Sequence, residues 1–243
     1  MSRRYDNPPI VEALCEFHFA PGRPWDMAIP GMLYERIKGD FPKRRQHMGL
    51  RIGVRQEEDT VQQSLEMPQR MQFCRDDASA LIQVGPDMLT VNHLKPYPTW
   101  GPFKSLVVEN LGKYRDIAEP RGLQQIGLRY INAIEFDTHD IELTDYFNYY
   151  AQIPADLPQA HGAFSVLVNF LHERDRDLLS LTFRSKRPQE LAGGGLVLDI
   201  AYGLAPGQSI SLDEVADWIE TAHARIEEAF EACITDECRA LFA

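Results

Sequence analysis

The chain has 243 residues, 44% of them hydrophobic, and a formal net charge of -11. This composition is ordinary for a globular protein with a sizeable core. The acidic surplus argues against a general nucleic-acid-binding protein, because neutralising phosphates requires a surplus of Lys and Arg. No apolar run in the sequence approaches the ~20 residues needed to cross a bilayer, so we expect no membrane association.

The N-terminal residues and the cysteines predict a cytoplasmic protein. Residues 1–9 contain two arginines and two prolines but no apolar signal core. The four cysteines form no C-x-x-C pair, and without a signal peptide they are expected to be free thiols.

The first half of the sequence predicts a strand, a helix, several strands and a second helix. Val11, Ala13 and Cys15 alternate with mainly polar residues, which is the period of a half-buried strand. Asp26 is the expected N-cap of the first helix and Thr99 that of the second. The strand-like runs between the helices lie at residues 48–55, 61–66, 71–75, 80–84 and 88–94.

The second half predicts the same order of elements. It contains a long strand over residues 126–136, a short helix over residues 144–151 and strands at residues 164–173, 178–186 and 196–204. Ser211 and Glu214 then form a capping-box pattern. Apolar residues recur three and four apart after this box, so we predict a helix of about 25 residues with Leu212, Ile219 and Ile226 facing a sheet.

The last helix is strongly acidic. From residue 209 onward there are nine acidic residues and two basic ones. Glu220, Glu227 and Glu231 are predicted to face water. An acidic helix face is usually solvated surface, although it can also dock a basic partner.

This order of elements predicts an α+β fold. We expect a single domain over residues 1–243, with a broad, mainly antiparallel sheet and long helices on one face. The sheet is predicted to consist of two similar β-α-β-β-β-α halves, residues 9–119 and 122–241. The layout is similar to that of the TATA-binding protein, an analogy of fold that implies no function.

Residues 5–13 read Tyr-Asp-Asn-Pro-Pro-Ile-Val-Glu-Ala. This stretch resembles the hallmark of a sporadically distributed family of bacterial proteins of unknown function, whose members begin Tyr-x-Asn-Pro-Pro-Ile-x-Glu-Ala. Residues 85–92, followed by Tyr97 and Trp100, and residues 128–132 resemble two further stretches of that family. The resemblance implies a bacterial protein of similar length and provides no activity.

The residues within these stretches are candidates for binding a ligand or partner: Tyr5, Asn7, Asn92, Tyr97, Trp100 and Arg129. Tyr5 and Asn7 either line a site or fix the N-terminus to the body of the protein. The aromatic residues after Asn92 lie at a strand-to-helix junction, where they either bind a ligand or staple the helix. Arg129 and Asn132 are predicted to point to opposite faces of one strand, so we do not expect them to share a ligand.

Motifs of common enzymes are absent from the sequence. There is no phosphate-binding G-x-x-x-x-G-K, no G-x-G-x-x-G, no G-x-S-x-G and no H-E-x-x-H. Glu12, Glu16 and His18 share one face of the first strand, and Arg184 is predicted on the same face of another. Mixed charges on one sheet face resemble tunnel-type phosphohydrolases, where carboxylates hold a divalent metal and arginines bind phosphate.

The sequence therefore favours a non-enzymatic binding protein without a cofactor. Its partner would be a protein or a small ligand, bound at the sheet face opposite the helices or at the junction over residues 92–100, and a homodimer is a further option. The alternative is a metal-dependent phosphohydrolase or nucleotide-binding enzyme with Glu12, Glu16 and His18 as metal ligands. Nucleic-acid contact through the basic residues 43–55 is a third hypothesis. The sequence does not decide whether a reaction is catalysed.

Overall fold

The computed structural model describes residues 4–20, 25–48, 51–57, 60–66, 69–136, 141–158, 163–186 and 195–243, and for those of them between 47 and 69 it describes the backbone only. The strands are β1 (Ile10–Phe19), β2 (Lys43–Met48), β3 (Arg51–Glu57), β4 (Thr60–Glu66), β5 (Gln69–Cys74), β6 (Ala80–Gly85), β7 (Met88–Leu94), β8 (Leu123–Glu135), β9 (Ser165–His172), β10 (Asp177–Ser185) and β11 (Gly195–Leu204). The helices are α1 (Ile29–Ile37), α2 (Trp100–Ala118), α3 (Leu143–Tyr146), α4 (Val215–Cys233) and α5 (Asp236–Ala240).

One broad antiparallel sheet organises the described chain, which confirms the predicted α+β class. Its nine strands follow the order β2-β5-β6-β7-β1-β8-β11-β10-β9, while β3 and β4 pair separately. The first strands of the two predicted halves, β1 and β8, are antiparallel neighbours at the centre, and the last strand of each half flanks them. Superposition of the two halves stays a prediction.

The hydrophobic core lies between one face of this sheet and the long helices. On β1 the side chains of Ala13, Cys15 and Phe17 are fully buried, and the intervening residues point to the other face. The helix α4 covers this layer with Ile219 and Ile226, both buried as predicted. We call the opposite sheet face, to which Glu12, Glu16, Asn92 and Arg129 project, the polar face.

Two helices end earlier than the sequence predicts, because residues expected in their last turns form a tertiary contact instead. Ile234 is extended and forms an antiparallel bridge with Phe147. This bridge ends α4 at Cys233, and Thr235 then caps α5 by accepting a hydrogen bond from the Cys238 N–H. It also ends α3 at Tyr146, so the helix predicted to continue to residue 151 is a single turn.

One of the N-cap predictions is confirmed and another is wrong. The capping box of Ser211 and Glu214 is present, and it opens a 3-10 turn, Leu212–Glu214, that leads into α4. The prediction for Asp26 was wrong, because α1 begins at Ile29, after Ala28; the Asp26 carboxylate accepts from the Ala28 N–H instead.

The basic segment at residues 43–55 is divided in the structure. Its first part forms β2, an edge strand that the sequence analysis missed because it has no alternating apolar face. The side chains of Arg51 and Arg55 lie outside the described residues. None of the described helices combines the length and the apolar character needed to cross a membrane.

Replacement of Ile219 by Ala is expected to lower the free energy of unfolding by about 2–5 kcal/mol, because it empties a fully buried aliphatic site. Urea denaturation measures this change. The matched control is Met32→Ala on α1, where the side chain is 49% exposed and the change should be about 0.5 kcal/mol or less. Equal losses in both variants would show that the inner face of α4 is wrongly assigned.

Candidate functional site

A cleft of about 790 Å³ opens where the N-terminal segment, the loop before α2, the strand β8 and the helix α4 meet. Its volume lies within the range of small-molecule sites. The lining is aromatic and acidic: Arg4, Tyr5, Pro8, Pro9, Ile10, Tyr97, Thr99, Trp100, Gly101, Tyr130, Asn132, Glu220, His223, Ala224, Ile226, Glu227, Glu228, Phe230 and Glu231. Three residues proposed from the sequence, Tyr5, Tyr97 and Trp100, are therefore brought together here.

Tyr5 fixes the N-terminal segment and lines the cleft at the same time. Its hydroxyl donates to Glu231 Oε1 (2.6 Å), and its ring packs edge-on against Phe230 and Phe242. The Asn7 N–H donates to the Phe242 carbonyl (3.1 Å), so backbone contact with the C-terminus adds to this anchor. The exposed Asn7 side chain lies outside the lining.

Trp100, the first residue of α2, forms one wall of the cleft. Its indole Nε1 lies 3.1 Å from both carboxylate oxygens of Glu220, to which Lys104 Nζ also donates. The indole ring stacks on His223 with a centroid separation of 4.1 Å and an interplanar angle of 14°. These contacts tie the start of α2 to α4 across the cleft.

The backbone before Trp100 is strained. Thr99 has φ 94° and ψ 166°, a conformation that costs a residue other than glycine about 1–3 kcal/mol. Thr99 occupies the predicted N-cap position, but its side chain makes no capping hydrogen bond. Strain of this kind clusters at binding sites.

Two hydrogen bonds link three side chains of the cleft. The Tyr97 and Tyr130 hydroxyls are 2.9 Å apart, and the Tyr130 hydroxyl is 2.9 Å from His223 Nδ1. On the other side of the imidazole, His223 Nε2 lies 3.3 Å from a carboxylate oxygen of Glu227. Burial raises the pKa of both tyrosines. Burial also lowers the pKa of His223, against the opposing charges of Glu227 and Glu220. At neutral pH the imidazole is therefore uncharged, and its two nitrogens lie beside Tyr130 and Glu227.

The lining contains more carboxylates than cations. Four carboxylates face it: Glu220, Glu227, Glu228 and Glu231. Arg4 is the basic residue of the lining. Basic side chains outside the lining pair with three of the carboxylates: Lys104 with Glu220, Arg225 with Glu228, and Arg239 with Glu231. Lys104 lowers the pKa of Glu220, which keeps that group ionised. The residues of the lining are thus predominantly acidic, and these three ion pairs offset part of their charge.

Asn92 does not join Tyr97 and Trp100 in the cleft. Its side chain is buried on the polar face, where Nδ2 donates to Glu12 Oε1 (2.6 Å) and Oδ1 accepts from Gln83 (3.1 Å). The sheet therefore separates this amide from the aromatic residues that follow it in the sequence.

Arg129 also lies on the polar face. Its guanidinium makes a bidentate pair with Asp199, through Nε (2.7 Å) and through a close contact of Nη2, and the hydrogen bonding to Asp199 raises the pKa of Arg129. Asn132 lines the cleft on the other side of the sheet, where its Nδ2 donates to the Leu198 carbonyl. The two residues thus occupy opposite faces, as the spacing predicts.

The proposed metal ligands are engaged with other side chains. Glu16 accepts from His18 (2.7 Å), which lowers its pKa, and Glu12 accepts from Asn92. Within the described residues no group of three or more His, Cys, Asp or Glu side chains could hold a metal ion. Arg184 is three strands from β1, roughly 14 Å, so it does not converge with the glutamates.

Sequence reasoning missed the residues that complete the cleft, above all Tyr130, His223 and Glu227. One signal was available, since His223 lies four residues after the buried Ile219 and so on the inner face of α4. No protein-family model matches the chain, and a search of curated proteins found no match. The family resemblance of residues 5–13 therefore stays a prediction.

Stability should fall as the pH drops from 7 to 5, partly because of His223. The pKa of His223 in the folded state is below the unfolded value of about 6.5. The contribution of the neutral imidazole to the free energy of unfolding is therefore complete above pH ~6.5 and is lost as the pH falls through the folded-state pKa. His93, whose pKa burial also lowers, acts in the same window. Chemical denaturation of wild type and His223→Asn at several pH values should give a shallower decline for the variant. Identical profiles would contradict the assignment of a neutral buried imidazole.

Proposed function

We propose that the protein is a non-enzymatic binding protein whose cleft takes an organic cation, a ligand with an ammonium or guanidinium group. The supporting observation is the combination of Trp100, Tyr97 and Tyr5 with four carboxylates around one cavity. Aromatic faces attract cations by about 0.5–2 kcal/mol, and this attraction is stronger in partly desolvated sites. Carboxylates at the rim supply long-range attraction for the same charge.

The protonation states in the cleft suit binding. The raised pKa values of Tyr97 and Tyr130 keep both hydroxyls protonated at neutral pH, so they act as hydrogen-bonding groups and are poor general bases. The neutral His223 adds no positive charge that would repel a cationic ligand. The cleft thus provides polar groups that orient a ligand and carboxylates that favour a cationic one.

Isothermal titration calorimetry with matched probes tests this proposal. Choline is compared with its neutral carbon isostere 3,3-dimethylbutan-1-ol, and agmatine with butane-1,4-diol. We expect saturable binding of a cationic probe and much weaker binding of its neutral partner. Binding of both members of a pair with equal affinity, or of neither member of either pair, would contradict the proposal.

Variants then locate the site. Trp100→Ala is expected to weaken binding of the cationic probe about 3- to 30-fold, the range of a lost cation–π contact. Glu227→Gln should also weaken binding, because it removes one charge from the lining. The matched control is Glu109→Gln, because Glu109 is an exposed residue of α2 that pairs with Lys113 outside the cleft. This variant should bind the cationic probe with the affinity of the wild type. Equal effects of the two glutamine variants would place the site elsewhere.

A further inference from the structure

Within the described part of the chain, the edge strand β9 lacks the features that protect the edges of most sheets. It is the last strand in the sheet order, and its sequence, Ser-Val-Leu-Val-Asn-Phe-Leu-His, contains no Asp, Glu, Lys, Arg or Pro. Natural edge strands are usually protected by such residues, by bulges or by a covering element. The strand at the other edge, β2, begins Lys-Arg-Arg and has this protection. The two edges of the sheet are therefore not equivalent.

Both faces of β9 are apolar and exposed. The large exposed side chains and their exposed fractions are Leu167 (59%), Val168 (36%), Phe170 (43%) and Leu171 (61%). Val168 lies opposite the buried Leu181, so Val168 and Phe170 share the helix-covered face of the sheet. Leu167 and Leu171 consequently lie on the polar face. A helix or a small ligand would cover one of these pairs, whereas a strand that extends the sheet covers both.

The outer edge of β9 also presents backbone groups. The Ser185 N–H donates to the Phe164 carbonyl, so even-numbered residues of this region direct their backbone groups toward β10. The N–H and C=O groups of Leu167, Asn169 and Leu171 therefore point outward. Within the described residues no strand pairs with this edge. An added strand would satisfy these groups and cover both apolar faces together.

We propose that β9 pairs with β9 of a second copy of this chain, in an antiparallel arrangement with Val168 on the twofold axis. Twofold pairing requires that residues with outward backbone groups lie opposite each other, and this register places Leu167 opposite Asn169. It also places Val166 opposite Phe170, an apolar pair. Because β9 contains no charged residue, like charges do not meet across the axis even though each chain has a net charge of -11. The strand is thus complementary to itself, as an isologous interface requires.

The size of this contact sets the expected affinity. In this register residues 165–171 of the two strands lie opposite each other, and seven residues at ~3.4 Å each give a paired edge about 24 Å long. Two such edges with their apolar side chains bury on the order of 1,000 Å² in total, which is at the lower end of specific interfaces. We therefore expect a dimer that dissociates on dilution into the micromolar range.

Sedimentation velocity over a concentration series tests the proposal. The wild type should shift from the mass of one chain to twice that mass as concentration rises from low micromolar to submillimolar. The double variant Leu167→Lys/Leu171→Lys should remain monomeric, because it places charges on the edge without altering the helix-covered face. The control Leu157→Lys, at a 55% exposed loop position, should dimerise like wild type. A wild type that stays monomeric throughout, or a double variant that still dimerises, would overturn the proposal.

Disulfide cross-linking tests the register independently of affinity. In the proposed register the two Val168 residues lie opposite each other, and their backbone groups point toward β10 of their own chain. The Cα atoms of such a non-hydrogen-bonded pair are about 4.5 Å apart, which is within disulfide range. Val168→Cys should therefore form a covalent dimer on mild oxidation, above the background of the wild type with its four cysteines. Leu157→Cys serves as the exposed control. Equal cross-linking of Val168→Cys and Leu157→Cys would exclude the proposed axis.

Discussion

The antiparallel pairing of β1 with β8 is the constraint on which the rest of the structure depends. Its register places Cys15 opposite Leu128 and Ala13 opposite Tyr130, so the apolar residues of both strands project to the same face. Burial, with a further contribution from Glu16, raises the pKa of the Cys15 thiol, which is a neutral core side chain at physiological pH. A slip of one residue would exchange the two faces and expose this core.

The position of the cleft follows from this pairing. The small Ala13 lies opposite the large Tyr130 on the helix-covered face of the sheet. The Tyr130 hydroxyl therefore contacts His223 on α4. The segment before β1 continues beside β8, where the Ala133 N–H donates to the Pro9 carbonyl (2.9 Å). On the N-terminal side of Pro9, Tyr5 attaches this segment to α4 by donating a hydrogen bond to Glu231. The cleft is the space that remains between this segment and the start of α2.

Charged side chains are arranged differently on the polar face and in the cleft. On the polar face Arg129 and Asp199 neutralise each other, and amides such as Asn92 and Gln83 link neighbouring strands. In the cleft the carboxylates of α4 outnumber the basic residues of the lining. Glu231, which the sequence analysis predicted to face water, is half-buried and bonded to Tyr5 and Arg239. The acidic face of α4 is therefore not only solvated surface, because Glu231 has specific side-chain partners.

The sequence by itself determined the α+β class, the alternation of β1 and the inner face of α4, because these depend on periodicity within one element. The capping box at Ser211 was also visible, since it needs only residues three apart. The tertiary structure alone decided the strand order and the bridge between Phe147 and Ile234, which shortens two helices. These features depend on contacts between distant residues, which a local pattern does not encode.

The candidate site shows the same division. Tyr5, Tyr97 and Trp100 were identified from local motifs, yet nothing in their spacing indicates that they share one cavity. Asn92 was grouped with them because it is near in sequence, and the sheet places it on the other face. His223 completes the site from a helix more than one hundred residues away, because packing of α4 on β8 brings its ring to Trp100. Sequence periodicity determines which side chains a single element buries, and only the packing of elements determines which of those side chains meet.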